Sequence, residues 1–202
     1  MCRIISQKRA NESDAFTRTL RYPLCSKEVL GIVYRRLSLE NTAQAVFCEL
    51  PKRLFRSLPR NPSWKDTDEP LPFLHHLYNI PGLRPEPNSY EGYALTRAVY
   101  AGHEPLIRFL LEHGASPSCK EGLCIMIAIR QKDLTLVKLL MEREDKSNAN
   151  RGGKNKKRKI EDRVAANKEM LRLAVKCNAR DIAEYLTQEK GIIPDMQTLL
   201  GI

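Results

Sequence analysis

Residues 90–117 read YEGYALTRAVYAGHEPLIRFLLEHGASP, and the spacing within them decides the fold. In the first half Leu95, Ala98 and Val99 mark an apolar stripe at helical spacing, and Gly102 ends that helix. Pro105 suits the first turn of a second helix, where a missing N–H leaves no hydrogen bond unmade. Leu106, Ile107, Leu110 and Leu111 form the next stripe, closed by Gly114 where a left-handed C-terminal cap takes glycine. The segment is expected to run helix, turn, helix, turn.

The plan recurs downstream. Ile125, Ala128, Ile129, Leu136, Val137, Leu139 and Leu140 stand thirty residues after Leu95, Ala98, Val99, Leu106, Ile107, Phe109 and Leu110. A constant offset at seven apolar positions marks a repeat, in which each unit buries its apolar face only against a neighbour. A third copy is visible in Leu171, Ala174, Val175, Ile182, Tyr185 and Leu186, displaced by forty-six residues. About sixteen residues are therefore inserted, and residues 144–159 supply them: polar, glycine-containing and without periodicity. After the insertion a longer helix is expected from about Asp162 to Lys176.

These copies resemble the ankyrin repeat family, whose signature is Gly-x-Thr-Pro-Leu-His-x-Ala, then Gly-His, an apolar pair, Leu-Leu and Gly-Ala. The first copy carries Leu95, Ala98, Gly102-His103, Leu106-Ile107, Leu110-Leu111 and Gly114-Ala115, and departs at Ala94 and Thr96. The second keeps Ala128, Leu136-Val137 and Leu139-Leu140 but has Lys132-Asp133 for Gly-His, and the third is more divergent. The resemblance covers roughly residues 88–190. It implies an all-α solenoid of about three helix-pair repeats that binds another protein along the turn tips and the exposed face of each first helix. Carried onto this chain, those places are Tyr90, Tyr100 and Ala101 in the first copy, Lys120, Arg130 and Gln131 in the second, and Lys176 in the third. Tyrosine and arginine are favoured at binding hot spots, although Tyr100 packing on its neighbour and Arg130 being merely solvated are open alternatives.

Upstream, Val29, Leu30, Val33, Tyr34 and Leu37 predict an amphipathic helix, and Asn41 or Thr42 a cap for another through Ala43, Val46, Phe47 and Leu50. Pro51 then opens a short helix with Leu54, Phe55 and Leu58, and Pro72 to Leu77 begins one more. The proline-rich residues 80–87 forbid a regular helix after it. The expected organisation is a flexible basic tail over 1–26, an irregular helical cap over 27–87, two repeats over 88–144, a basic insertion over 145–160, and a third repeat with C-terminal cap over 161–202. Trp64, in a polar proline-bounded loop, is expected to anchor into the cap.

With 42% hydrophobic and 29% charged residues, the chain is too apolar for wholesale disorder. Six scattered cysteines show no two-residue spacing, so free thiols are expected and not zinc or redox motifs. Absence of an apolar leader or long apolar run points to a reduced cytosolic or nuclear setting and no membrane. No nucleophile elbow, phosphate loop or paired carboxylates stand out, and His103 and His113 suit backbone hydrogen bonding better than acid-base work. The expectation is a non-enzymatic chain with no catalytic residues, metal or cofactor.

Net charge is +10, unevenly spread. Residues 1–60 carry 12 basic and 5 acidic side chains and residues 151–202 carry 12 and 7, while residues 61–150 are close to neutral with 10 and 12. The neutral middle favours protein docking, and the basic flanks suit an acidic partner. The sharpest cluster, Lys154, Lys156, Lys157, Arg158 and Lys159, reads as a nuclear import signal taken by an import receptor, with a solvated loop that is basic by chance as the open alternative. Together these features predict a protein-interaction scaffold or adaptor in the nucleus, or in nucleus and cytoplasm. The alternatives are a nucleic-acid or ribonucleoprotein binder, with Lys52-Arg53, Arg56, Arg60 and the basic loop over 151–159 on phosphates, or an escort chaperone for an acidic client.

Overall fold

The computed structural model describes residues 17–21, 26–38, 45–61, 63–143 and 162–195. The chain divides into two units, residues 1–115 and 116–202.

In the first unit residues 17–21 are helical. They are followed by α1 (Lys27–Ser38), β1 (Val46–Glu49), α2 (Arg53–Arg56), α3 (Leu71–Tyr78), β2 (Leu83–Glu86), α4 (Ser89–Ala101) and α5 (Glu104–Glu112). Leu20, Leu50, Phe55, Leu71, Leu74, Leu77, Leu95, Leu106, Ile107 and Leu110 fill its core. Pro72 lies in the first turn of α3 and Pro105 in the first turn of α5, as the sequence predicts. α2 leans on α4 through Arg97, whose guanidinium donates to the α2 carbonyls of Phe55 (3.2 Å) and Arg56 (2.8 Å). Those carbonyls at a helix end have no partner within the helix, so Arg97 supplies one.

The stretch expected as a helix through Val46, Phe47 and Leu50 is instead a strand, paired in parallel with β2 from Val46↔Leu83 to Glu49↔Glu86. The correction has a local sign: Phe47 and Glu49 are exposed while Cys48 is buried, an alternation with the strand period of two. Pro85 sits in β2, which a two-stranded sheet permits because both strands are edges. Beyond β2, the N–H groups of Glu49 and Leu50 are taken up by the hydroxyls of Thr17 (3.2 Å) and Ser89 (3.0 Å).

The second unit contains α6 (Cys119–Gln131), α7 (Leu134–Met141), α8 (Lys168–Lys176) and α9 (Arg180–Glu184), which runs on into a π-helical turn at Tyr185–Glu189. α6 packs on α7 and α8, and α9 on α7 and α8. Ile125, Ala128, Ile129, Val137, Leu140, Leu171, Ala174, Ile182 and Leu186 form the core. The helix expected from Asp162 begins only at Lys168, because Asn167 has extended backbone and its side chain caps Met170 N–H at 2.9 Å. The basic insertion over 145–160 and most of the tail over 1–26 lie outside the described residues. The architecture is mostly helical, with one strand pair that an all-α reading lacks.

Candidate partner-binding surface

The two complete copies share their backbone at each special position. Tyr90, Glu91 and Gly92 have φ of 55°, 58° and 73°, and Lys120, Glu121 and Gly122 have 51°, 55° and 77°. Three successive left-handed residues make one tight turn that kinks α4 and α6 near their starts. A non-glycine residue there costs roughly 1–2 kcal/mol, so each turn holds strain that the surrounding packing must offset. At Gly122 a Cβ would stand 3.3 Å from the Met170 Cε, a tight contact that the flexible end of Met170 would have to yield to by a few tenths of an ångström, and the φ of 77° itself favours glycine.

The turn between the helices is shared too. Gly102 and Lys132 are both left-handed C-caps, and Asn178 has φ of 54° at the corresponding place in the third copy. The next residue caps the second helix: His103 Nδ1 accepts from Leu106 N–H at 3.3 Å, and the Asp133 carboxylate from Leu136 N–H at 2.9 Å. His113 bonds the Phe109 carbonyl at 2.8 Å through Nδ1. Both histidines serve backbone groups, as expected. Trp64 stacks on His103 with ring centroids 4.2 Å apart and donates to the Ala101 carbonyl at 3.1 Å, so it anchors residues preceding the repeats onto the first one.

A family model described as ankyrin repeats (3 copies) matches residues 95–198. The chain belongs to the ankyrin-repeat family. No curated protein and no solved structure matches it. Ankyrin repeats are protein–protein interaction modules, and turn tips and first-helix faces are the surface to inspect.

In the first unit Tyr90 is half-buried at its turn. Its hydroxyl accepts from Arg21 Nη2 at 2.9 Å, and Lys52 Nζ stands 4.5 Å from its ring centre. Burial pushes its phenol above the ordinary range. Tyr100 is 44% exposed, with the guanidinium groups of Arg97 and Arg60 at 5.0 and 5.1 Å from its ring. It is accessible and held in place by cation–π contacts. Ala101 is a correction: at 2% exposure its side chain is covered, and its carbonyl is already engaged by Trp64. In the second unit Lys120, Arg130 and Lys176 are exposed and Gln131 is half-buried. Lys154, Lys156, Lys157, Arg158 and Lys159 lie outside the described residues.

The residues flanking the insertion are tied together. Lys190 Nζ meets Glu142 at 3.1 Å and Asp162 at 2.8 Å, while Arg163 donates its backbone N–H to Met141 (2.7 Å) and its guanidinium to the Leu139 carbonyl (2.8 Å). Burial pushes the Glu142 carboxyl up, but hydrogen bonds from Tyr185 and Lys190 outweigh it and hold the group below its ordinary range. Sequence reasoning missed this clasp, as it missed the gathering of Arg21, Lys52 and Arg53 around Tyr90. Its one hint of the latter was the adjacent pair Lys52-Arg53.

The thiols of Cys48 and Cys124 are pushed up to about 12 by burial, which keeps both protonated and unreactive. Cys119 and Cys177 form no disulfide either. Among the described residues no group of His, Cys, Asp or Glu is arranged to hold a metal ion, and no helix is long and apolar enough to cross a membrane.

Proposed function

We propose that this protein is a non-enzymatic adaptor whose polypeptide partner docks on Tyr90 and Tyr100 in the first unit and on Lys120, Arg130, Gln131 and Lys176 in the second. The strained left-handed turns that present Tyr90 and Lys120 carry the reading, because strain of this kind gathers where a structure serves binding. Ankyrin membership supports the class of partner. Lys154, Lys156, Lys157, Arg158 and Lys159 serve as an import signal, a role that their run of positive charge supports. On this reading the protein works in the nucleus.

Affinity capture after nuclease treatment, using the wild-type chain and a Tyr100→Ala, Arg130→Ala variant, tests the docking surface. The wild type should retain a polypeptide, and the variant should lose about 2 kcal/mol or more of its binding free energy. Loss of all bound material on nuclease treatment would refute protein docking. Replacing Lys156, Lys157, Arg158 and Lys159 with alanine should leave capture intact and remove the protein from the nucleus. A variant that still accumulates there would refute the import signal.

A further inference from the structure

Around Tyr90 the first unit forms a cavity of about 300 Å³ lined by Arg21, Pro51, Lys52, Arg53 and Tyr90. Its polar lining carries two guanidinium groups, an ammonium and the Tyr90 phenol, whose oxygen accepts from Arg21 and whose hydroxyl also meets Glu49. Glu49 answers one of the three cations, at 3.1 Å from Arg21. Lys52 lies over the Tyr90 and Tyr93 rings, at 4.5 and 5.5 Å, which orients its ammonium without neutralising it. Arg53 is fixed by its Nε, which donates to the Leu20 carbonyl at 2.6 Å. Its Nη2 is buried and has no hydrogen-bond partner among the described residues. A charged donor left in that state is costly, and a turn of the Arg53 side chain toward the cavity would let an oxyanion there satisfy it.

We propose that the cavity between Arg21, Lys52, Arg53 and Tyr90 binds the phosphoryl group of a phosphorylated side chain on the partner polypeptide. The inference rests on the adaptor reading and names what one part of that surface selects. Three cations and one carboxylate leave about two positive charges, the complement of a phosphate monoester at neutral pH and twice that of a carboxylate. Two guanidinium groups and an ammonium also offer more N–H donors than two carboxylate oxygens can take, whereas three phosphoryl oxygens suit them. Pro51 restricts the backbone before Lys52, and the left-handed φ of Tyr90 sets its ring against the ammonium, so the donors stand largely pre-arranged.

The test is fluorescence anisotropy on the full chain. The probes are a labelled short phosphoserine peptide with glycine-alanine flanks, its serine and glutamate counterparts, and a single-stranded RNA of similar length. The phosphoserine peptide should bind about tenfold or more tighter than either counterpart, as one added set of charge-assisted hydrogen bonds requires, and inorganic phosphate should compete. Lys52→Gln removes an exposed charge and Arg53→Lys removes the buried fork. Each should weaken the phosphopeptide about tenfold, and an unchanged Lys52→Gln melting temperature separates the effect from folding. Failure of the wild type to prefer phosphoserine, or equal binding by both variants, would overturn the proposal. Tighter binding of the RNA with the same sensitivity to both variants would assign the cavity to nucleic acid and overturn it too. A partner captured equally by wild type and both variants would leave the adaptor reading standing while removing the cavity from it.

Discussion

The turns at Gly102-His103 and Lys132-Asp133 have the same backbone and opposite surroundings. Both first residues are left-handed and both second residues cap the following helix. Yet His103 is fully buried beneath Trp64, while Asp133 is exposed. The helix pair sets the backbone, and whatever lies over the turn selects the side chain. A carboxylate buried at position 103 would be heavily desolvated, whereas imidazole can accept the N–H hydrogen bond and be covered while neutral. The second copy exposes its cap, and there aspartate, among the strongest N-caps, serves well.

If the two copies are equivalent below the turn, the largest effects should match. Ala98 and Ala128 are both fully buried on their first helices. Replacing either with leucine should cost about 1–3 kcal/mol by overpacking, read as a lower urea midpoint. A loss in one copy and none in the other would break the equivalence. Above the turn the copies should differ. His103→Ala removes a cap and an aromatic stack and should cost about 2 kcal/mol, against about 1 kcal/mol for Asp133→Ala. Equal losses would mean that Trp64 contributes nothing to the first copy.

The left-handed caps give a smaller, reciprocal pair. Lys132→Gly should stabilise by about 0.5–1 kcal/mol and Gly102→Lys should destabilise by about as much or more. Stabilisation of both would contradict the shared geometry. The smallest effect is a slope against pH. Burial lowers the His103 pKa below 6.5, against the raising influence of Asp68 and Asp66. Its contribution is therefore complete above about pH 6.5 and is lost as the pH falls through the depressed folded value. His103→Ala should flatten the stability profile in that window and Asp133→Ala should not.

What was legible in the sequence was what neighbouring residues decide. Leu95, Ala98 and Val99, with their counterparts thirty residues on, gave the helices because an apolar stripe is a local signal, and Gly114 at φ of 89° kept its capping role. The strand at Val46 was hidden because its partner is Leu83, and Val46, Phe47 and Leu50 fit a helix equally well when read alone. The family resemblance puts Ala101 on the open face, but Trp64 arrives from 37 residues away to occupy its carbonyl. The bond from Arg21 to Tyr90 spans 69 residues, so no window of sequence displays it. The left-handed triplets have no local sign, because Tyr90, Glu91, Lys120 and Glu121 are not glycine and only the folded packing holds them there.

The most direct test of protein docking on the turn tips is hydrogen–deuterium exchange on the full chain, with and without the polypeptide recovered by capture. Binding should slow exchange over residues 88–93 and 118–122 and at the helix ends near 100 and 130, and leave α3 and β2 unchanged. Protection confined to α3 and β2, with the turn residues exchanging as before, would contradict the account.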